Sequence, residues 1–185
     1  MEAQESIAII EQMIAGTKKN VRRSAKYFLL WGWAVFLTTI AQYILLKLLF
    51  PYTYYVWLTM PLCAVLTVIM KIRDNKNQKV KTYTGIAMSS LWTSMGIALT
   101  LLVYFGIQFD VNVNPVFLIL YGIGIYTSGR MLEFKPLIFG GLFAFIMSIV
   151  CMHSEGTYIF LVYAITVLFS YIIPGHLLLK ADSHE

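Results

Sequence analysis

"LYGIGIYTSGRMLEFKPLIFGG", residues 120–141, sets Arg130, Glu133 and Lys135 inside an otherwise apolar stretch. Either these charges form a polar site buried in a membrane, or they mark a turn where the chain comes back out of one. Pro136 favours the turn. Proline suits the first turn of a new helix and disfavours helical geometry in the residue before it, while arginine and lysine beside such a turn reach headgroups and water by snorkelling. A buried Arg130–Glu133 pair is the alternative.

Composition supports a membrane setting. Of the 185 residues 59% are hydrophobic and only 12% charged, with a mean hydropathy of +0.73, whereas a soluble domain carries about 25% charged residues. The net charge of +5 and the pI of about 9.2 raise the question of nucleic acid. The basic residues lie between apolar runs rather than on a contiguous polar domain, so no nucleic-acid partner is expected.

Six apolar runs follow one another, at residues 27–49, 54–72, 83–107, 113–131, 136–152 and 157–179. Each is close to the roughly 20 residues a helix needs to cross about 30 Å of hydrocarbon. They are continuously apolar rather than alternating, which selects helices over barrel strands. The expected fold is all-α: a bundle of six transmembrane helices over 27–179, preceded by an amphipathic helix over 1–26 and followed by a short tail at 180–185.

Lysines and arginines orient the chain. Lys18, Lys19, Arg22, Arg23 and Lys26 precede the first run, and Lys71, Arg73, Lys76, Lys79 and Lys81 surround the second connection; Arg130 and Lys135 lie at the fourth and Lys180 in the tail. In a six-span chain these 13 of 14 basic residues share one side, leaving Lys47 on the other. Short basic loops stay in the cytoplasm, which places both termini there and Arg130, Glu133 and Lys135 at a cytoplasmic turn.

Ile7, Ile10, Ile14 and Val21 recur at helical spacing near the amino terminus, with Glu2, Glu5 and Glu11 at other positions. The acidic, periodic segment and the long span after it do not fit a secretory signal. The segment reads as an amphipathic helix on the inner leaflet, its basic end near anionic headgroups, or as a docking helix for a cytoplasmic protein.

Within the spans small residues dominate. Ser90, Ser94 and Ala98 in span three and Gly140, Ala144 and Ser148 in span five repeat every fourth position, a pattern that lets helix backbones approach closely. These stripes are expected to pack spans within one chain, with a homo-oligomer as the alternative. Gly122 and Gly124 would either thin or loosen span four, and Pro174 with Gly175 would bend or end span six before His176.

No chemistry-bearing motif stands out. Gln42, with Thr38, Thr39, Thr67 and the span-three serines, is expected to make interhelical hydrogen bonds rather than bind a substrate. His153, Glu155 and His176 fall on two different faces and lack metal-ligand spacing, so no metal, cofactor or catalytic residue is expected. Cys63 and Cys151 lie at unmatched depths and read as buried thiols. Tyr52, Tyr54, Tyr55 and Trp57 suit a headgroup-level belt. Residues 28–39, "FLLWGWAVFLTT", can be laid over 118–129, "LILYGIGIYTSG", which would make the two halves inverted repeats.

"YFLLWGW" in span one, "YGIG" in span four and the closing "SYIIPGH" resemble a family of small, uncharacterised six-span bacterial inner-membrane proteins over nearly the whole chain. The resemblance implies a bacterial inner membrane and transfers no activity or site residue. Two functions stay open. One is a non-enzymatic accessory or regulatory subunit that meets a protein partner through its amino-terminal helix and the 73–82 loop; the other is a small-solute transporter or channel, as a homo-oligomer.

Overall fold

The computed structural model describes the backbone of residues 2–76 and 83–181 and the side chains of residues 25–74 and 83–180. The faces expected of residues 1–24, and the basic residues of the 77–82 loop, fall outside the described side chains. Helix α1 (Glu2–Lys47) leads through a short 3₁₀ turn (Thr53–Leu58) into α2 (Thr59–Lys76); α3 (Tyr83–Phe109), α4 (Asn114–Met131) and α5 (Lys135–Met152) follow. The last helical unit is α6 (Tyr158–Val167), a π-turn (Leu168–Ile172) and α7 (Ile173–Ala181) in direct succession. Among the described residues there is no strand.

α1 is unbroken, with no helix end between an amphipathic segment and the first span. Five segments have the length and apolarity to cross a membrane: Ala25–Lys47, Thr53–Asp74, Tyr83–Phe109, Lys135–Met152 and Tyr158–Lys180. The expected sixth, α4, has 18 residues, but Asn114, Pro115, Arg130 and three glycines make it less apolar than the rest. The all-helical, multi-pass architecture therefore rests on five helices of spanning character, with α4 packed between α3 and α5.

The ends of α1 and α4 share one device. The Phe50 amide donates to the Leu45 carbonyl and the Leu49 amide to the Leu46 carbonyl, at 3.0 and 3.1 Å, with Leu49 left-handed at φ 55°. In the 120–141 stretch, Phe134 donates to Gly129 and Glu133 to Arg130, at 2.9 and 3.3 Å, with Glu133 at φ 52°. Both are Schellman stops, which satisfy the last carbonyls of a helix. Phe134 is extended and Pro136 opens α5, so the hairpin closes over 132–134. Arg130, Glu133 and Lys135 are all exposed at this turn, and none is buried in the bundle.

Packing separates a core from a periphery. Half of the last spanning segment is buried, against 6% of those containing α2 and α3. α4 and α5 run close because glycines meet backbone: a methyl on Gly141 would lie 2.6 Å from the Tyr126 amide nitrogen, and one on Gly129 would lie 2.7 Å from that of Ile138. Gly122 faces the Phe145 ring, so the span-four glycines pack an unbroken helix and do not loosen it. α1 and the last unit interlock: Gly32 receives the Tyr171 ring and Gly175 receives Leu29.

The stripes on spans three and five diverge. Gly140, Ala144 and Ser148 are buried, whereas Ser90 and Ser94 are exposed and Ala98 is only half-buried. α3 instead packs through its large residues, Trp92 and Met95, which lie over Gly124 of α4. The overlay of 28–39 on 118–129 is not carried into packing, since Gly32 meets the last unit and Gly122 meets α5.

Candidate functional site

Gln42 and Thr38, with Tyr27 and Trp31 that the sequence did not single out, form a polar seam from span one to α2 and the 3₁₀ turn before it. The Tyr27 hydroxyl donates to the Asp74 carboxylate at 3.0 Å, Trp31 Nε1 to Thr67 Oγ1 at 2.9 Å, and Gln42 Nε2 to Thr53 Oγ1 at 3.0 Å; Thr38 and Thr59 share a hydroxyl bond of 2.7 Å. Such bonds between membrane helices average about 0.6 kcal/mol each. Together they tie a little-buried helix to the core where apolar packing against lipid-like surroundings offers no selectivity. Thr39 bonds back to the carbonyls of Val35 and Phe36. Gln42 lies near the end of α1 and clamps the hairpin through Thr53, and its Oε1 is buried without a partner among the described residues.

A second polar cluster lies at the π-turn, deep in the core. Pro174 has no amide hydrogen, so the Ser170 carbonyl four residues earlier loses its α-helical donor. The chain responds by widening one turn. Ile173 donates to the carbonyl of Leu168, five residues back, the π pattern. The helix then continues through Pro174 and Gly175 to Ala181, correcting the expected stop before His176. The freed Ser170 carbonyl points at Gly140, where a methyl would sit 2.7 Å away.

Around this turn the rings of Phe28, Trp92, Tyr121 and Tyr171 pack together, Tyr171 lying 4.9, 6.0 and 5.1 Å from Phe28, Trp92 and Tyr121 respectively. Trp92 Nε1 donates to Ser128 Oγ at 3.1 Å, and Ser128 donates in turn to the Gly124 carbonyl at 2.7 Å. The Ser170 and Tyr121 hydroxyls are buried with no partner among the described residues. A buried hydroxyl left unpaired costs about 1–3 kcal/mol, and π-turns often mark functional positions. The cluster contains no carboxylate, imidazole or ammonium, so it offers donors and ring faces rather than acid–base chemistry.

The remaining candidates stay apart. His153 Nδ1 pairs with the Ile149 carbonyl at 2.9 Å, while the ring of His176 lies 6.4 Å from that of Trp33. No group of three metal-ligating side chains occurs among the described residues. Cys63 and Cys151 are buried free thiols. Tyr52, Tyr54 and Tyr55 form an exposed aromatic cluster at the 3₁₀ turn. Lys47 lies 5.3 Å from the Tyr158 ring centroid. Sequence reasoning missed Tyr121 and Ser170; the available signal was a proline inside an apolar run, four residues after a serine. No family model, no curated protein and no solved structure matches the chain.

Proposed function

We propose that this chain is a non-enzymatic accessory or regulatory subunit of a bacterial inner membrane, with six spans, cytoplasmic termini and a protein partner at its cytoplasmic face. The observation that carries the reading is the continuity of α1. Its apolar part, Ala25–Lys47, already has spanning length, yet the same helix begins at Glu2. At 1.5 Å per residue the remainder extends about 35 Å further. A helix without a break at residue 26 has no hinge for folding onto the leaflet, and its root is held by Phe28 and Gly32 against Tyr171. A partner on this extension would therefore act on the core. The basic asymmetry supports the cytoplasmic orientation, and the resemblance to small six-span bacterial proteins supports the membrane.

The experiment pairs two variants at matched membrane abundance: deletion of residues 2–17 and Gln42→Leu. Loss of the cellular phenotype on deletion, with Gln42→Leu nearly silent, is expected. Solute flux in proteoliposomes that responds to Gln42→Leu and ignores the deletion overturns the reading in favour of a transporter.

A further inference from the structure

The connections at the end of the bundle opposite the 132–134 turn differ in kind. Asp110 and Asn112 lie between α3 and α4, and His153, Ser154 and Glu155 between α5 and α6. The connection from α1 to α2 is instead Leu48, Leu49, Phe50, Pro51 and Tyr52, without a charged or amide side chain.

This apolar connection barely rises above the helix it closes. The Leu49 and Phe50 amides turn back onto the Leu46 and Leu45 carbonyls, so the chain wraps the end of α1. Thr53 is buried and accepts the Gln42 amide hydrogen at 3.0 Å, which returns the chain to a level about 7.5 Å inside Lys47 at the α-helical rise. Residues 48–52 therefore form a tip at the level of Lys47, whose ammonium lies 5.8 and 5.3 Å from the Tyr43 and Tyr158 ring centroids.

The tip turns its large side chains outward. Leu48 is 71% exposed, Leu49 89% and Phe50 53%, and they prolong the exposed apolar surface of Ile44 on α1 and of Leu58 and Leu62 on α2. Leu49 and Glu133 occupy matching places in two Schellman stops, at φ 55° and 52°, where glycine is usual and a side chain is strained. In the 132–134 turn that strained position holds an exposed charge. At the tip it holds the most exposed large hydrophobic side chain among the described residues.

We infer that the 48–52 tip is inserted in the lipid boundary of the bilayer, with Leu48, Leu49 and Phe50 against the upper acyl chains. Tyr52, Tyr54 and Tyr55 then lie at headgroup level, where amphipathic rings settle. This end of the hairpin is an anchor in lipid rather than a loop in water, and it fixes the depth of the little-buried α2. The inference rests on the membrane-spanning reading of α1 and α2, and the tip lies at the end of α1 opposite the extension assigned to a protein partner.

The test is nitroxide accessibility in the full chain, reconstituted in liposomes of phosphatidylethanolamine and phosphatidylglycerol. Power saturation compares oxygen, which concentrates in lipid, with a nickel chelate confined to water. Cys63 and Cys151 are buried, so the label enters an introduced cysteine and the wild type supplies the background. At Leu49→Cys the oxygen-to-nickel ratio should approach that of Leu62→Cys on α2 and exceed that of Asn112→Cys severalfold. Phe50→Cys should read the same boundary and serves if the Leu49 variant does not insert. Leu49→Asn, whose side chain tolerates the left-handed backbone, should lower the ratio at Phe50→Cys severalfold. A water-like ratio at residues 49 and 50 alone overturns the inference, as does an unchanged ratio in Leu49→Asn. Low accessibility to both reagents overturns it in favour of a covering protein or a second copy of the chain. A water-like ratio at Leu62→Cys as well overturns the spanning reading itself.

Discussion

Gly140 lies directly against the carbonyl of Ser170, so close that a methyl group on it would be 2.7 Å from that oxygen. The contact joins two departures from regular helix. Pro174 deprives the carbonyl of its donor, the π-turn redirects the backbone, and the smallest residue on the neighbouring helix leaves room for the result. The alanine variant of Gly140 meets backbone rather than a flexible side-chain end, so relief requires moving a helix. Gly140→Ala should cost about 1–3 kcal/mol, as overpacking does, seen as a lower midpoint of thermal unfolding in detergent. An unchanged midpoint would mean that the two helices are further apart.

Two buried serines should respond in opposite directions. Ser128 accepts the Trp92 indole hydrogen, so Ser128→Ala orphans a part-buried donor and should destabilise by about 1 kcal/mol or more. Ser170 is equally buried, but its hydroxyl has no partner among the described residues. Ser170→Ala should leave stability unchanged or raise it. The comparison is a pair of unfolding curves, and a loss at Ser170 as large as that at Ser128 refutes the assignment.

Stripes alike in sequence should differ in tolerance. Ala144 is fully buried and Ser94 is exposed. Ala144→Leu should cost about 1–3 kcal/mol, while Ser94→Leu stays within about 0.5 kcal/mol. Equal effects in the same unfolding assay would place the two faces in equivalent surroundings.

Gln42→Leu removes one hydrogen bond to Thr53 and, with it, an amide oxygen that has no partner among the described residues. The gain and loss nearly offset, so the change in stability should fall within about 0.6 kcal/mol, the average strength of such a bond. A larger loss would show that the amide oxygen is engaged in the bilayer.

Topology is checked independently. Reporter fusions after residues 76, 112 and 185 should read cytoplasm, periplasm and cytoplasm, following the one-sided distribution of lysine and arginine. Any other order removes the six-span arrangement, and with it the cytoplasmic placement of α1's extension.

The sequence by itself determined the helical, multi-pass character of the chain, because a bilayer admits only segments that satisfy their own backbone hydrogen bonds over about 20 apolar residues. It also determined the turn at 132–134, where Pro136 and three charges cannot continue a buried helix. The tertiary structure alone decided sidedness. In water an apolar stripe announces the inner face of a helix, but in lipid both faces are apolar, so Ser90–Ser94 and Gly140–Ala144–Ser148 look equivalent until backbones meet. Gly140 faces inward because the Ser170 carbonyl is there, and Ser94 faces outward because the large Trp92 and Met95 make α3's contact with α4. The spacing of Ser170 and Pro174 signals a carbonyl without its α-helical donor, but the burial of Ser170 and of the Tyr121 hydroxyl depends on how α4, α5 and the last helix stack, a long-range choice that no local spacing encodes.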